Sequence, residues 1–454
     1  MLDAATPYVS TTNACKLCTP LGACIAFKGL EGCMPILHGS QGCATYMRRY
    51  IISHFREPVD IASSALGEDQ AIYGGGPNLM QGIINVMDKY NPDIIGIAST
   101  CLTETIGDDV PMILSGFKKE FAHLKIPELI HVSTPSYSGT HMEGFHRAIR
   151  QTAIQMADPE PLPHSKITVL PGFVSPWDVR HLKGVMRDFD IPGIILPDIS
   201  ETLEGTIQED IEMVPSGGTS MQDLKSLGGS PACIELGSCI KNDLSTAGWL
   251  EKNLNVPAHR LGLPIGLRGM DAFMQTLSRI SGKDMPREQM LERGRLVDAY
   301  VDAHKYLFGK KCLIYGEEDL VTGLVSFLAE TGVQPVLAAS GGRSGLMQKS
   351  IEQACEGLLP RMPAVLSGVD FYQIVEEAEK LEPDFILGNS KAYRIAAGKW
   401  DIPLIRVGFP VHDRMGAGRI RHAGYEGAYD LLMRIVNTLL EKRQEDADLG
   451  WGYM

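Results

Sequence analysis

Five of the chain's ten cysteines fall in one run, NACKLCTPLGACIAFKGLEGCMPILHGSQGC, which spans residues 13–43. It carries a Cys15-x-x-Cys18 pair and closes with His38-Gly39-Ser40-Gln41-Gly42-Cys43. Thiolates are the preferred ligands of iron–sulfur clusters, and glycines beside them let backbone N–H groups approach the sulfides. An iron–sulfur site is the first expectation. A Cys-x-x-Cys pair also suits half of a zinc site, but the chain has no second pair, so a self-contained zinc ribbon is not expected and Cys15 reads as a packing or auxiliary residue. Cys24 and Cys33 lie among Ala, Ile and Met, where core packing is expected, as it is for the scattered Cys233, Cys239, Cys312 and Cys355.

The elements that must position these thiols follow from the pattern of short apolar runs and turn residues. Ala44 to Ile52 suits a helix starting just after Cys43, whose dipole would favour an anion there. Gly74-Gly75-Gly76 reads as a turn, since no Gly-Lys-Ser/Thr follows to make it a phosphate loop. After it come a helix over Leu79 to Lys89 and a strand over Asp93 to Ala98. That strand ends at Ser99-Thr100-Cys101, and a second, Leu129 to Val132, ends at Ser133-Thr134-Pro135-Ser136. Strands alternating with helices indicate a parallel sheet, and such sheets carry their sites at the strands' carboxyl ends. Cys101 and Ser136 therefore sit where ligands are expected.

Three prolines between Asp158 and Pro163 read as a linker. A second α/β region opens at Ile167 to Leu170, and a long amphipathic helix between Pro286 and Phe308, with apolar Met290, Val297, Val301 and Phe308, leads to a third. There the expected strands are Cys312 to Tyr315, Val336 to Ala338, Phe385 to Leu387 and Leu404 to Val407. The expected helices are Asp319 to Glu330, Tyr372 to Leu381 and one opened by Gly388-Asn389-Ser390. The fold class is α/β with three units in tandem, divided 1–160, 161–308 and 309–454, and a charged, solvated tail from Glu441 to Asp448.

Composition excludes several function classes. A formal charge of -13 repels phosphate backbones, so nucleic acid is not an expected partner. No apolar run approaches the ~20 residues needed to span a bilayer, and the first residues lack the pattern of a secretory signal. The expectation is a cytoplasmic protein, in whose reducing surroundings clustered cysteines bind metal or do redox chemistry.

Taken together, Lys16 to Ala23, His38 to Cys43, Ser99-Thr100-Cys101 with Glu104 and Ile106 to Asp109, and Thr134-Pro135-Ser136 resemble the β-type subunits of nitrogenase component 1. Gly388-Asn389-Ser390, Ile402 to Arg406, Gly408-Phe409-Pro410 and Asp413-Arg414 extend the resemblance over the whole chain. It implies three Rossmann-like domains with parallel sheets flanked by helices. It implies pairing with a homologous α-type subunit in a heterotetramer served by an ATP-dependent Fe-protein reductase. It also implies a 4Fe-4S or 8Fe-7S type cluster at the subunit interface, held on this side by the residues matching the family's ligands, Cys18, Cys43 and Cys101, with Ser136 joining in some oxidation states. Three thiolates do not complete a four-cysteine site, so the remaining ligands would come from the partner.

Two roles in that family suit the sequence. The short stretch before Cys18, the wording of Tyr46 to Ile61 and the ending Gly450-Trp451-Gly452-Tyr453-Met454 resemble the N subunit of the scaffold on which the iron–molybdenum cofactor is matured. The complete ligand set resembles an electron-relay (P-cluster) β subunit of a catalytic nitrogenase or nitrogenase-like reductase. The scaffold is the reading favoured here. Plainer roles stand beside these: the thiols as small buried hydrophobes, Ser136 as a turn or cap residue, His38 as a local hydrogen-bonding partner, and Arg48 and Arg49 as docking or merely solvated cations.

Overall fold

The structure, a computed structural model, describes residues 15–207 and 212–447. The first fourteen residues and the Gly450–Met454 ending lie outside that range. Among the described residues thirteen strands form three sheets, every pairing parallel. In the first, β1 (Cys33–His38), β2 (Ala62–Ser63), β3 (Ile94–Ser99) and β4 (Glu128–Val132) are ordered β2-β1-β3-β4. In the second, β5 (Ile167–Leu170), β6 (Gly193–Ile195), β7 (Cys233–Leu236) and β8 (Ala258–Leu261) are ordered β6-β5-β7-β8. The third takes β9 (Lys311–Tyr315), β10 (Gln334–Ser340), β11 (Ala364–Ser367), β12 (Phe385–Gly388) and β13 (Leu404–Arg406) in the order β11-β10-β9-β12-β13. The α/β class and the three parallel sheets expected from the sequence are what the chain adopts. Central parallel strands are covered on both faces and so read as unbroken apolar runs, as in Ile94 to Ala98.

One apolar core, running from Leu21 to Val436, passes through all three sheets. The last helix, Gly424–Glu445, follows the third sheet in sequence, yet it packs against the Gly266–Ser281 and Arg287–Leu307 helices beside the second. Tyr425 Oη donates to Asp271 Oδ1 at 2.6 Å, and the Asp178 carboxylate accepts from the backbone N–H groups of His422 and Ala423. We propose the limits 1–160, 161–308 and 309–454 as divisions of the chain rather than of the core.

One sequence expectation needs correction. The 287–307 helix exists, but Met290, Val297, Val301 and Phe308 are exposed; its buried face is Leu296, Ala299, Ala303 and Leu307. Two apolar stripes share the helix, and the small-residue stripe allows the closer packing. Gly388-Asn389-Ser390 opens a helical run over 390–400, as expected, with Asn389 as its N-cap: its Oδ1 accepts from Lys391 N–H at 3.1 Å while its Nδ2 donates to Phe409 O at 3.0 Å. The charged tail is solvated, as expected: its described residues, 441–447, are largely exposed, and it is helical as far as Glu445.

Candidate metal centre

Cys18, Cys43 and Cys101 lie at the starts of three helices. Cys18 is the N-cap of the Thr19–Lys28 helix, where Pro20 sits in the first turn, the one place in a helix where a missing N–H is harmless. Cys43 falls inside the first turn of the Gln41–Phe55 helix, which begins three residues earlier than the sequence suggested. Cys101 opens the Cys101–Ile106 helix, capped by Thr100. Unpaired N–H groups and the positive end of the helix dipole favour negative charge at such positions.

The first sheet brings these starts to one rim. β1 and β3 pair in register to His38 and Ser99, and Thr100 N–H donates to His38 O at 3.0 Å, so the turns leading to Cys43 and Cys101 leave adjacent strand ends. The turn after β4 joins them: Thr134 Oγ1 donates to Ser99 O at 2.6 Å, and Ser136 N–H donates to Cys101 Sγ at 3.2 Å. Cys18 is held against that same turn from both sides. His141 N–H donates to Leu17 O at 3.0 Å, and Thr19 Oγ1 reaches Pro135 O at 3.4 Å.

Behind Cys18, the Thr19–Lys28 helix crosses the His141–Met156 helix almost backbone to backbone. A Cβ on Gly22 would stand 1.7 Å from His141 O, and one on Gly144 1.8 Å from Thr19 O, so only glycine fits at either position. This contact fixes the height of Cys18 relative to Ser136.

Exposure separates the thiols by type. Cys18 is exposed and Cys43 and Cys101 are half-buried, whereas Cys24, Cys33, Cys233, Cys239, Cys312 and Cys355 are buried. Burial pushes the Cys24 and Cys33 thiols up to about 12, where they are inert packing groups. Cys15 parts company with Cys18: it packs against the core of the third sheet, and burial raises its thiol to about 12 against the pull of the Lys391 ammonium. The Cys-x-x-Cys pair is thus divided between two environments.

The polar residues around the rim are supports. His38 is buried between Ser64 Oγ (2.9 Å) and Asp108 Oδ2 (3.0 Å), with burial lowering its basicity against the opposing pull of Asp108. Asp108 also accepts from Gly75 N–H at 3.1 Å, which gives the Gly74–Gly76 turn a structural partner. Arg48 is tied to Val59 O (2.8 Å) and Asp60 (3.0 Å). Lys391, which the sequence did not single out, is buried enough to lower its pKa, while Cys15, Glu317 and Cys18 pull the other way. Only the fold brings it from the third sheet to the start of the first.

Among the described residues no three His, Cys, Asp or Glu side chains converge on a single metal ion. The donor set instead fits one flank of a larger polynuclear group. Three accessible thiols come from separate helix starts on one rim, and Ser136 follows the backbone donor to one of them. Ser136 places its N–H, not visibly its hydroxyl, at the sulfur.

A three-sheet α/β chain with cysteines along the carboxyl rim of its first sheet defines a class of protein, and the comparisons give the family. Residues 18–440 match the model of the nitrogenase component 1 type oxidoreductases, and the chain belongs to that family. It is 36% identical over 438 residues to the nitrogenase molybdenum–iron protein beta chain of Clostridium pasteurianum, covering 96% of this chain and 94% of that one. It is 32% identical over 444 residues to the nitrogenase iron–molybdenum cofactor biosynthesis protein NifN of Bradyrhizobium diazoefficiens, covering 96% and 90%. A solved structure of nitrogenase Cp1 at pH 6.5 superposes with a TM-score of 0.95 at 34% identity, covering 100% of this chain and 98% of that one. The chain is of the family's β type. No helix among the described residues is long and apolar enough to cross a membrane.

Proposed function

We propose that the chain is the β-type half of a nitrogenase-like heterotetramer, in which Cys18, Cys43 and Cys101 hold an iron–sulfur cluster against a homologous α-type subunit. The observation that carries this is the setting of the rim. The three thiols stand beside large apolar side chains left in solvent: Tyr46 on the Cys43 helix, Tyr137 next to Ser136, and Ile72 and Tyr73 on the Glu68–Tyr73 helix that packs on the Cys101 helix. Contiguous apolar exposure marks a surface awaiting a partner. The role is that of the N-type scaffold subunit for maturation of the iron–molybdenum cofactor, in line with the sequence of the Gln41–Phe55 helix and the likeness to NifN.

A second reading, the electron-relay β subunit of a catalytic nitrogenase or nitrogenase-like reductase, is favoured by the gathering of all three cysteines and Ser136 on one rim and by the likeness to the clostridial beta chain. A cluster bound here supplies one-electron chemistry. The chain's own residues do the rest: the helix starts favour its negative charge, Ser136 N–H steadies one thiolate, and the Gly22–Gly144 crossing sets Cys18 in place.

Co-expression with the α-type partner tests the assignment. Cys43→Ala is expected to strip iron from the purified complex, and unchanged iron content refutes the ligand role. Transfer of cofactor to an apo-nitrogenase supports the scaffold, whereas substrate reduction coupled to ATP use supports the relay.

A further inference from the structure

A small cavity at the junction of the three sheets, away from the cysteine rim, gathers buried polar groups whose hydrogen bonds are incomplete. Its walls include His54, Phe55, Phe173, Glu317, Phe409 and His422, and it leaves room for about one or two water molecules. His54, Glu317 and His422 are each at most 5% exposed.

The protonation of each group follows from its neighbours. His422 Nδ1 lies 3.0 Å from Asp178 Oδ2, and the Asp178 carboxylate is held ionised, below its usual range, by His422 and two backbone N–H groups. A carboxylate only accepts, so Nδ1 carries a proton, and the ring's second nitrogen, Nε2, is left to be matched. That Nε2 is buried and has no partner among the described residues.

On the facing wall, Glu317 Oε1 is engaged by His141 Nε2 at 3.1 Å, while Oε2 is buried and likewise without a partner among the described residues. A Cβ on Gly408 would come within 2.8 Å of that oxygen, so Oε2 borders the wall formed by Gly408 and Phe409. The third group is a donor. His54 Nδ1 accepts from Val411 N–H at 3.0 Å, and burial drives the ring down to about 3, so the neutral imidazole carries its proton on Nε2.

A carboxylate oxygen, an imidazole N–H and a second imidazole nitrogen around a space of this size suit water, which donates or accepts as each requires and makes about three hydrogen bonds when buried. A metal cation would suit Glu317 Oε2 and be opposed by the His54 N–H. An anion would suit His54 and be opposed by the Glu317 carboxylate. We propose that this cavity is a built water site, its water donating to Glu317 Oε2, accepting from His54 Nε2–H and hydrogen-bonded to His422 Nε2. The site joins the Asp178–His422 pair to the Glu317–His141 pair and thereby links residues from all three parts of the chain.

A crystal structure of the intact complex, at a resolution that shows ordered solvent, tests this directly. The expected result is one or two solvent peaks within ~2.7–3.2 Å of the three named atoms. A dry cavity, a chain atom in its place, or a peak with oxygen contacts near ~2.4 Å, the reach of a bound cation, overturns the proposal. A double-mutant cycle gives an independent readout. His54→Leu and Glu317→Gln share no direct hydrogen bond, so through common water their effects on the denaturation midpoint are expected to be non-additive, and additive effects overturn it.

Discussion

Ser136 and Cys101, thirty-five positions apart, meet through a backbone hydrogen bond, Ser136 N–H to Cys101 Sγ at 3.2 Å. The donor belongs to the main chain, so the side chain is not what the sulfur needs. Ser136→Ala is expected to leave iron content and the spectrum of the reduced complex unchanged, whereas Ser136→Pro, which removes the N–H, is expected to lower iron occupancy. Equal losses in both variants would assign the role to the hydroxyl instead.

The Gly22–Gly144 crossing leaves no space for a methyl group against His141 O or Thr19 O. Gly22→Ala and Gly144→Ala are each expected to cost about 1–3 kcal/mol, the usual range for overpacking, and to loosen cluster retention by displacing Cys18. Denaturation of the complex together with its iron content checks both effects. Full stability in either variant would mean that the helices part without penalty.

Burial pushes the Glu318 carboxyl up to about 7, from ~4.3 in an unfolded chain. A carboxyl raised on folding contributes its stability below the unfolded value and loses it as pH rises through the folded one. Stability is therefore expected to fall between about pH 4.5 and 7.5 through this group. Glu318→Gln keeps an acceptor for Ser344 N–H and is expected to gain about 2–4 kcal/mol over the parent at pH 8, with little gain at pH 4.5. A pH-independent difference would rule this out.

The two apolar stripes of the Arg287–Leu307 helix make opposite predictions. Leu296, fully buried, is expected to cost about 2–5 kcal/mol on replacement by alanine. Val301, 71% exposed, is expected to cost under about 0.5 kcal/mol. Urea denaturation of the two variants separates them, and a reversed order would turn the helix around.

What the sequence disclosed depended on how unevenly each element is buried. Ile94 to Ser99 and Cys312 to Tyr315 are central strands written as unbroken apolar runs, and both were legible. The Thr19–Lys28 helix is buried on every side, so it has no polar face to set a period, and the sequence pattern showed no sign of it. β1 was hidden by Pro35, which argues against a central strand; here its missing N–H lies opposite Gly96. Of the site, Cys18, Cys43, Cys101 and Ser136 were legible as motifs. Their common rim was not, because it depends on strand order, and neither was Lys391, which approaches only through the packing of the third sheet. Val297 and Val301 misled because hydrophobicity alone does not say which of two stripes packs.

The Gln41–Phe55 helix carries Cys43 in its first turn, on the cysteine rim, and His54 in its last, ~16–17 Å further along at 1.5 Å per residue, in the wall of the junction cavity. A straight rod of that length transmits displacement instead of absorbing it. With Cys43 bound as proposed, a shift imposed there by a second subunit would be delivered along this helix to the place where the three sheets meet, and the edge of the subunit would be felt in its interior.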